Sequence, residues 1–230
     1  LFEKVYVETP VDTDGDGRLD LIAVYIRRPL ETTQGMRVPA IYVANPYMLE
    51  CNEDWYVPHD VDRDVSPYPQ QHITESDITF DPSTVSFPQP RYPRATVGYA
   101  DTAPTEEIPL DCISDWYSYF NSRGYASVFC GGLGTRGSQG FNCCGSPEET
   151  AAFKAVIDWL NGRCRAFTNL ADNIEIRADW CTGKVAMSGK SYLGTMCIAV
   201  ASTGVEGLET IIPEAAISNW YDYYRCNGLN

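Results

Sequence analysis

The chain has 230 residues, of which 44% are hydrophobic and 12% aromatic, so it is long and apolar enough for one α/β domain with a sizeable core. Its net charge of −14 argues against nucleic acid or an anionic membrane as a partner. No apolar run approaches the roughly 20 residues that a membrane-spanning helix needs, which argues against an integral membrane protein.

The first predicted elements are two strands, over residues 4–9 and 19–26, that form a hairpin. Between them lies the acidic stretch Asp-Thr-Asp-Gly-Asp-Gly-Arg-Leu-Asp at 12–20. Alternating carboxylates followed by glycine are typical of a calcium loop, but the helix-loop-helix calcium pattern needs glutamate where this chain has Ala23. A tight turn explains the same residues, and we favour it over a metal site, which stays open as the alternative.

The third predicted strand, residues 38–44, is apolar throughout, as expected of a strand buried in a sheet. It ends in Asn45-Pro46-Tyr47. Residues 48–110 then differ in composition, because they hold most of the prolines and both histidines, His59 and His72. We predict a Pro/Asp-rich insertion there, irregular apart from a short strand at 77–80. So long a loop usually carries function or moves.

Regular elements return at residue 112. We predict helices over 112–122, over 146–161 with Ser146 as its cap, and over 195–201. The strands between and after them cover residues 125–130, 185–187 and 210–213. Because strands alternate with helices from Val38 onward, the expected fold is α/β, with a mostly parallel sheet and helices on both faces. The first hairpin would be the antiparallel edge of that sheet.

The nine cysteines and two histidines give little support to a metal site. None of the cysteines forms a C-x-x-C pair, so we predict neither a metal nor a cofactor. Several cysteines, such as Cys130 and Cys197, stand where a small apolar residue would fit. We interpret them as reduced, mostly buried thiols of a cytoplasmic protein, with a secreted disulfide scaffold as the less favoured alternative.

The stretch Lys-Val-Ala-Met-Ser-Gly-Lys-Ser-Tyr-Leu-Gly-Thr at 184–195 carries the clearest chemical signal. A serine, Ser191, lies between Gly189 and Gly194 at a strand-to-helix junction, which is typical of a nucleophile elbow with a strained serine backbone. In such a turn the backbone N–H of Tyr192 points towards a developing oxyanion. Leu193 stands where a glycine is more common, so a glycine-rich turn with a helix-capping serine stays open as the alternative.

Five segments together resemble one family. They are Asn-Pro-Tyr at 45–47, Gly-Thr-Arg-Gly-Ser-Gln-Gly at 134–140, Val-Ile-Asp-Trp-Leu-Asn-Gly at 156–162, Gly-Lys-Ser-Tyr-Leu-Gly-Thr at 189–195 and Ser-Asn-Trp-Tyr-Asp-Tyr-Tyr-Arg at 218–225. The combination is similar to the X-prolyl dipeptidyl aminopeptidases, serine peptidases of the α/β-hydrolase superfamily. Their relatives, cocaine-esterase-like acyl hydrolases and β-lactam acylases, share the elbow and the Asn-Pro-Tyr. The resemblance covers nearly the whole chain and is weakest in the insertion.

The resemblance implies a role for each matching residue. Ser191 would attack the carbonyl after proline and form an acyl-enzyme. The backbone N–H of Tyr192 and the hydroxyl of Tyr47 would stabilise the oxyanion. Trp220 and Tyr223 would form aromatic walls around the proline ring. Without the resemblance, Tyr47 and the aromatic segment would be interpreted as ordinary packing.

The triad expected of this superfamily is incomplete in the sequence. An α/β-hydrolase triad continues from the serine to an Asp or Glu and then to a His. After Ser191 the chain offers one aspartate, Asp222, and no histidine. We therefore expect the whole chain to be the N-terminal part of a catalytic domain, with the missing acid and histidine beyond Asn230. A rearranged triad that uses His59 or His72 is less favoured.

The expected function is the release of Xaa-Pro dipeptides from the N-terminus of proline-containing peptides. A homodimer of the full-length protein is compatible with the sequence, which does not determine the oligomeric state. The substrate amine needs an acid, for which Glu214 and Asp222 are both available. One alternative is an acyl esterase or β-lactam acylase of the same superfamily. Another is a non-catalytic module that binds calcium through residues 12–20.

Overall fold

The computed structural model describes residues 1–47, 74, 91–106 and 114–225. The strands are β1 (Phe2–Glu8), β2 (Leu21–Arg27), β3 (Val38–Asn45), β4 (Gly98–Ala100), β5 (Ala126–Gly131), β6 (Ala166–Phe167), β7 (Ile174–Ile176), β8 (Cys181–Lys190) and β9 (Leu208–Glu214). The helices are α1 (Ser114–Asn121), α2 (Pro147–Leu160), α3 (Tyr192–Ser202) and α4 (Trp220–Arg225), with a 3-10 helix over Leu30–Gln34. Within these residues, every helix is too short or too polar to cross a bilayer.

All nine strands belong to one sheet, in the order β4-β7-β6-β1-β2-β5-β3-β8-β9. The four strands at the β9 end pair in parallel. β1 and β2 form the predicted antiparallel hairpin, with Val5 opposite Val24. The α/β class and the hairpin are therefore confirmed, in a mixed sheet whose long parallel strands begin at Val38.

The predicted position of the hairpin is wrong. It does not form the edge of the sheet, because β6 pairs with the outer side of β1 and β7 and β4 extend the sheet further. These added strands are two or three residues long. Strands that short show no periodicity of their own, and so the sequence pattern did not indicate them.

Helices cover the sheet on both faces, as predicted. Alternate residues of a strand point to opposite faces, and two core clusters follow from this. Tyr42 and Val128 belong to the larger cluster, which also contains the buried sides of α2 and α3. Val43 and Phe129 belong to the smaller cluster, which contains Tyr117 of α1. The site described below lies where β3 and β8 end between these layers.

The end of α1 and both ends of α2 lie within one residue of the predicted positions, whereas α3 begins earlier than predicted and α4 was not predicted as a helix. Ser146 caps α2 by accepting the backbone N–H of Glu149 at 3.1 Å, and proline is the first helical residue. Helix α3 begins at Tyr192 rather than at 195. Most of the predicted insertion, including the strand at 77–80 and both His59 and His72, lies outside the described residues.

Candidate active site

Ser191 forms the turn between β8 and α3. Its φ of 61° and ψ of −125° place it in a region that residues with a side chain rarely adopt. Its backbone N–H donates to the carbonyl oxygen of Glu214 on β9 at 2.8 Å, and its own carbonyl accepts the N–H of Thr195 at 3.0 Å. A strained serine held from both sides at a strand-to-helix turn is the geometry of a nucleophile elbow.

The two glycines of the motif are required by close approaches within the turn. A Cβ atom on Gly189 would lie 2.5 Å from the Cβ of Leu193. A Cβ atom on Gly194 would lie 2.7 Å from the carbonyl oxygen of Glu214. The residue that comes close to β9 is Gly194 and not Leu193. The Leu193 side chain packs in the smaller core cluster. This explains why the G-x-S-x-x-G spacing is compatible with an elbow.

Tyr47 follows β3, the strand that pairs with β8. The side-chain oxygen of Asn45 accepts the backbone N–H of Tyr47 at 2.9 Å and fixes the turn. The Tyr47 hydroxyl then donates to Oγ of Ser191 at 3.3 Å. Tyr192 is the first residue of α3, so its backbone N–H has no acceptor within the helix. The structure thus brings the predicted nucleophile and both predicted oxyanion donors together, and their catalytic roles stay predictions.

The side chain of Tyr192 is buried and bonded to a second helix. Its hydroxyl donates to Oε2 of Glu149 at 2.5 Å and accepts the backbone N–H of Gly145 at 2.7 Å. The same N–H also reaches Oε2 of Glu149, at 2.9 Å. Burial raises the pKa of both side chains. Glu149 is not among the site residues predicted from the sequence. Its position as the third residue of α2 is the one sequence feature that distinguishes it.

Trp220, the first residue of α4, lies in an aromatic cluster beside the elbow. Its ring is edge-on to Tyr192, with centroids 4.9 Å apart, and is stacked on Tyr224 at 5.7 Å. The indole also lies against Gly145, where a Cβ atom would come within 2.7 Å of Nε1. Tyr223 is edge-on to Trp220 at 6.5 Å and about half exposed. Both predicted wall residues therefore belong to this cluster, and Tyr224 is a further member to which the sequence analysis gave no role.

The structure does not choose between the two acids considered for the substrate amine. The Glu214 carboxylate pairs with Lys190 at 3.4 Å on the exposed surface next to the elbow. Asp222 lies in the first turn of α4, two residues after Trp220. Both acids are thus on elements that border the elbow or the aromatic cluster.

The acidic stretch between β1 and β2 forms a turn closed by its own carboxylates. Asp12 accepts two backbone N–H groups of the turn, at 2.8 and 3.0 Å. Asp20 accepts both the backbone N–H and the hydroxyl of Thr13. One oxygen each from Asp12, Asp14 and Asp20 lies within 4.8 Å of the others. These bonds account for the acids as turn formers, which is the favoured interpretation, and calcium binding stays an untested alternative.

Comparison with known proteins agrees with the resemblance. The sequence model of the family described as X-Pro dipeptidyl-peptidase (S15 family) matches residues 14–230. The chain is 46% identical over 229 residues to the Xaa-Pro dipeptidyl-peptidase of Pediococcus pentosaceus, and 45% identical over 230 residues to that of Lactiplantibacillus plantarum. Each match covers 99% of this chain and 28% of the relative.

A solved structure supports the fold independently. The crystal structure of a CocE/NonD family hydrolase from Staphylococcus aureus matches with a TM-score of 0.52 and 16% identity, over 96% of this chain and 28% of that one. At this identity the likeness shows the fold alone, which is α/β-hydrolase-like. The family match covers nearly the whole sequence and includes Tyr47 and the elbow. The chain therefore belongs to the X-Pro dipeptidyl-peptidase (S15) family.

Proposed function

We propose that this chain carries the nucleophile of a serine peptidase that releases Xaa-Pro dipeptides from the N-terminus of peptides. The observation that supports this most is the pair formed by Tyr47 and Ser191, in which a phenolic hydroxyl lies 3.3 Å from Oγ of a strained serine. The curated relatives cited above are named Xaa-Pro dipeptidyl-peptidases, which supports the proline preference.

The proposed reaction is acyl transfer through Ser191. Its Oγ attacks the carbonyl carbon of the proline residue, and the Tyr47 hydroxyl and the Tyr192 N–H donate to the oxygen that becomes negative. The peptide amine then leaves, and water hydrolyses the acyl-enzyme. Each oxyanion donor contributes about 10²–10³ to the rate. The amino end of α3 adds a favourable dipole at the same oxygen.

The proposed proline pocket is built from the aromatic cluster. The flat, apolar pyrrolidine ring packs against Trp220, whose orientation is fixed by the buried Tyr192 ring beside it. Tyr223 provides the more exposed wall. An acid next to this pocket holds the free amino terminus of the substrate, with Glu214 and Asp222 as the candidates.

The remainder of the catalytic apparatus is expected outside this chain, which spans about 28% of the length of the curated relatives it matches. We propose that the chain is part of one catalytic domain, interrupted by the insertion at 48–110, and that the triad acid and histidine lie in the remaining length. A serine without its base keeps little of its rate, so the activity is a property of the longer protein. The six cysteines among the described residues are free thiols, which supports the proposed cytoplasmic location.

The test uses the full-length protein that carries this chain, with a chromogenic dipeptide substrate that has proline in second position. Cleavage that is lost in Ser191→Ala is the expected result, because removal of the nucleophile eliminates the acyl-enzyme. A simple acyl ester serves as the second substrate. Turnover of the ester without prolyl cleavage would instead assign the protein to the acyl-hydrolase branch, and turnover of neither would contradict a catalytic role for the elbow.

A further inference from the structure

We propose that Glu149 is a positioning residue of this site, which holds the Tyr192 side chain and, through it, the oxyanion donor and the aromatic wall in their relative places. The inference rests on the proposed function and deepens it, because it names a residue that the triad and the pocket do not include. Glu149 lies on α2, whereas the nucleophile precedes α3. The hydrogen bond from Tyr192 to Glu149 joins the two elements beside the elbow.

The Glu149 carboxylate does not play the ordinary capping role of its position in α2. In a capping box, a glutamate at this helix position bonds to the backbone N–H of the cap residue. Here the N–H of Ser146 donates to the carbonyl of Cys143 at 2.9 Å. The carboxylate of Glu149 accepts instead from the Tyr192 hydroxyl and from the N–H of Gly145. The carboxylate therefore tethers the residue after the nucleophile to the loop that precedes α2.

The Tyr192 ring is in contact with both the oxyanion donor Tyr47 and the aromatic wall Trp220. It is edge-on to Tyr47, with centroids 5.8 Å apart, and edge-on to Trp220 at 4.9 Å. Gly145, the other partner of the tether, lies against the Trp220 indole. Because packed interiors transmit small displacements, a shift of this ring moves the Tyr47 hydroxyl and the Trp220 wall together.

The surroundings of Glu149 do not fully compensate the burial of its carboxylate. It is fully buried, and its Oε1 has no hydrogen-bond partner among the described residues. A buried acceptor left in this way is destabilising. By contrast, the buried carboxylate of Glu3 on β1 forms an ion pair with Arg28. Buried polar atoms without a hydrogen-bond partner occur most often at functional sites, and Oε1 of Glu149 lies beside the elbow.

The test is a double-mutant cycle in the full-length protein, with Glu149→Ala, Tyr192→Phe and the double variant. Glu149→Gln is the conservative replacement, since its amide oxygen still accepts a hydroxyl. Glu148→Ala is the matched control, because Glu148 is an exposed carboxylate in the same helical turn. Rates are measured per titrated active site, on dipeptide substrates with proline or alanine in second position.

We expect Glu149→Ala to lower kcat on the prolyl substrate about tenfold or more, with a smaller change in KM, since a misplaced oxyanion donor acts on the transition state. The preference for proline over alanine falls as well, because the Trp220 wall moves. Glu149→Gln restores most of kcat, and Glu148→Ala equals the wild type. The effects of Glu149→Ala and Tyr192→Phe are not additive, since both remove the same hydrogen bond.

Two results would overturn the inference. One is a lower titrated fraction of active protein in Glu149→Ala with unchanged kcat per site and unchanged proline preference, which is what a purely structural role produces. The other is additivity of the two single substitutions. If the wild type cleaves the ester but no prolyl substrate, the proposed function fails, and the same cycle on the ester decides the inference separately. If the wild type cleaves neither substrate, both fail.

Discussion

Two buried carboxylates, one at each half of the sheet, are compensated differently. In the antiparallel half, Glu3 of β1 accepts two hydrogen bonds from the Arg28 guanidinium, at 2.7 and 2.8 Å, and both residues are buried. In the parallel half, Glu149 is buried beside the elbow with a hydroxyl and an amide as its partners. Ser191, in the same half, has a strained backbone.

This difference separates residues that hold the fold from residues that serve the site. A buried carboxylate is tolerated when a cation and hydrogen bonds compensate it, as at β1. Strain and incompletely bonded polar groups persist where the surrounding structure enforces them, and they concentrate at functional sites. Substitution of Glu3 should therefore change stability, whereas substitution of Glu149 or of the elbow residues should change catalysis.

The largest effect is expected from Glu3→Ala, which leaves the Arg28 guanidinium buried without its counter-charge. We predict a loss of about 3–5 kcal/mol in the free energy of unfolding, with kcat per folded molecule unchanged. Urea unfolding and active-site titration measure the two quantities. The control is Lys154→Ala, which breaks a more exposed pair with Asp158 and should cost about 0.5 kcal/mol or less. Equal losses in the two variants would contradict the view that burial of the Glu3–Arg28 pair makes its disruption costly.

The second effect is catalytic and comes from Tyr47→Phe, which removes one hydroxyl beside Ser191 and keeps the ring. We expect kcat to fall about 10²–10³-fold, because an oxyanion donor is lost, while stability changes little. Tyr25→Phe is the matched control, since it also removes one hydrogen-bonded phenolic hydroxyl. The Tyr25 ring lies in the smaller core cluster, and its hydroxyl donates to the carbonyl of Arg136 at 3.1 Å. A change in kcat of less than about threefold in Tyr47→Phe would show that the hydroxyl is not an oxyanion donor.

A third effect concerns pH. Burial raises the pKa of Glu149 from its usual value of 4.5, so the folded state holds this proton more tightly than the unfolded state. The contribution of this proton to the free energy of unfolding is then most favourable below pH 4.5. It is lost as the pH rises through the pKa that Glu149 has in the folded state. Glu149→Gln cannot ionise, so its stability relative to the wild type should increase between acidic and neutral pH. Urea midpoints of both proteins at several pH values measure this, and parallel curves would contradict it.

The parts of the molecule that follow from local pattern were predictable. The long strands show apolar runs or alternation, and Ser-Pro-Glu-Glu at 146–149 is a typical start of a capped helix. The elbow glycines are required by the turn itself. The strands β4, β6 and β7 were not predictable because they exist through their partners. Phe167, for example, pairs with Tyr6 from the other end of the chain. The interior position of the hairpin was missed for the same reason.

The candidate site divides in the same way. Ser191 and the Tyr192 N–H follow from the elbow motif, whereas Tyr47 and Trp220 needed a resemblance to a family. Glu149 was missed because its sequence position indicates a capping role, and its partner Tyr192 is 43 residues away. A hydrogen bond between residues so far apart in sequence depends on how α2 and α3 pack together. A local sequence pattern carries no information about that packing.

The smallest effect is expected at the turn over residues 12–20, which joins β1 to β2. Its carboxylates already accept hydrogen bonds within the turn. We therefore predict that neither a calcium chelator nor added calcium changes the thermal midpoint of the protein. The turn is also connected to the loop that precedes α2, because the N–H of Phe141 donates to the Thr13 hydroxyl at 2.8 Å. A functional ion here would thus place a functional site in the antiparallel half of the sheet, in contact with the loop that precedes α2.

Asp14→Asn gives this prediction a sharp control. The Asp14 side chain is exposed and accepts the backbone N–H of Asp16 at 3.1 Å, a bond that the asparagine oxygen can also accept. The variant thus keeps the turn and removes one charge from the acidic group. A ligand that binds the folded state raises the midpoint with concentration by mass action. A calcium-dependent rise in the wild type that disappears in Asp14→Asn would favour the calcium-binding alternative and assign a functional site to the antiparallel half.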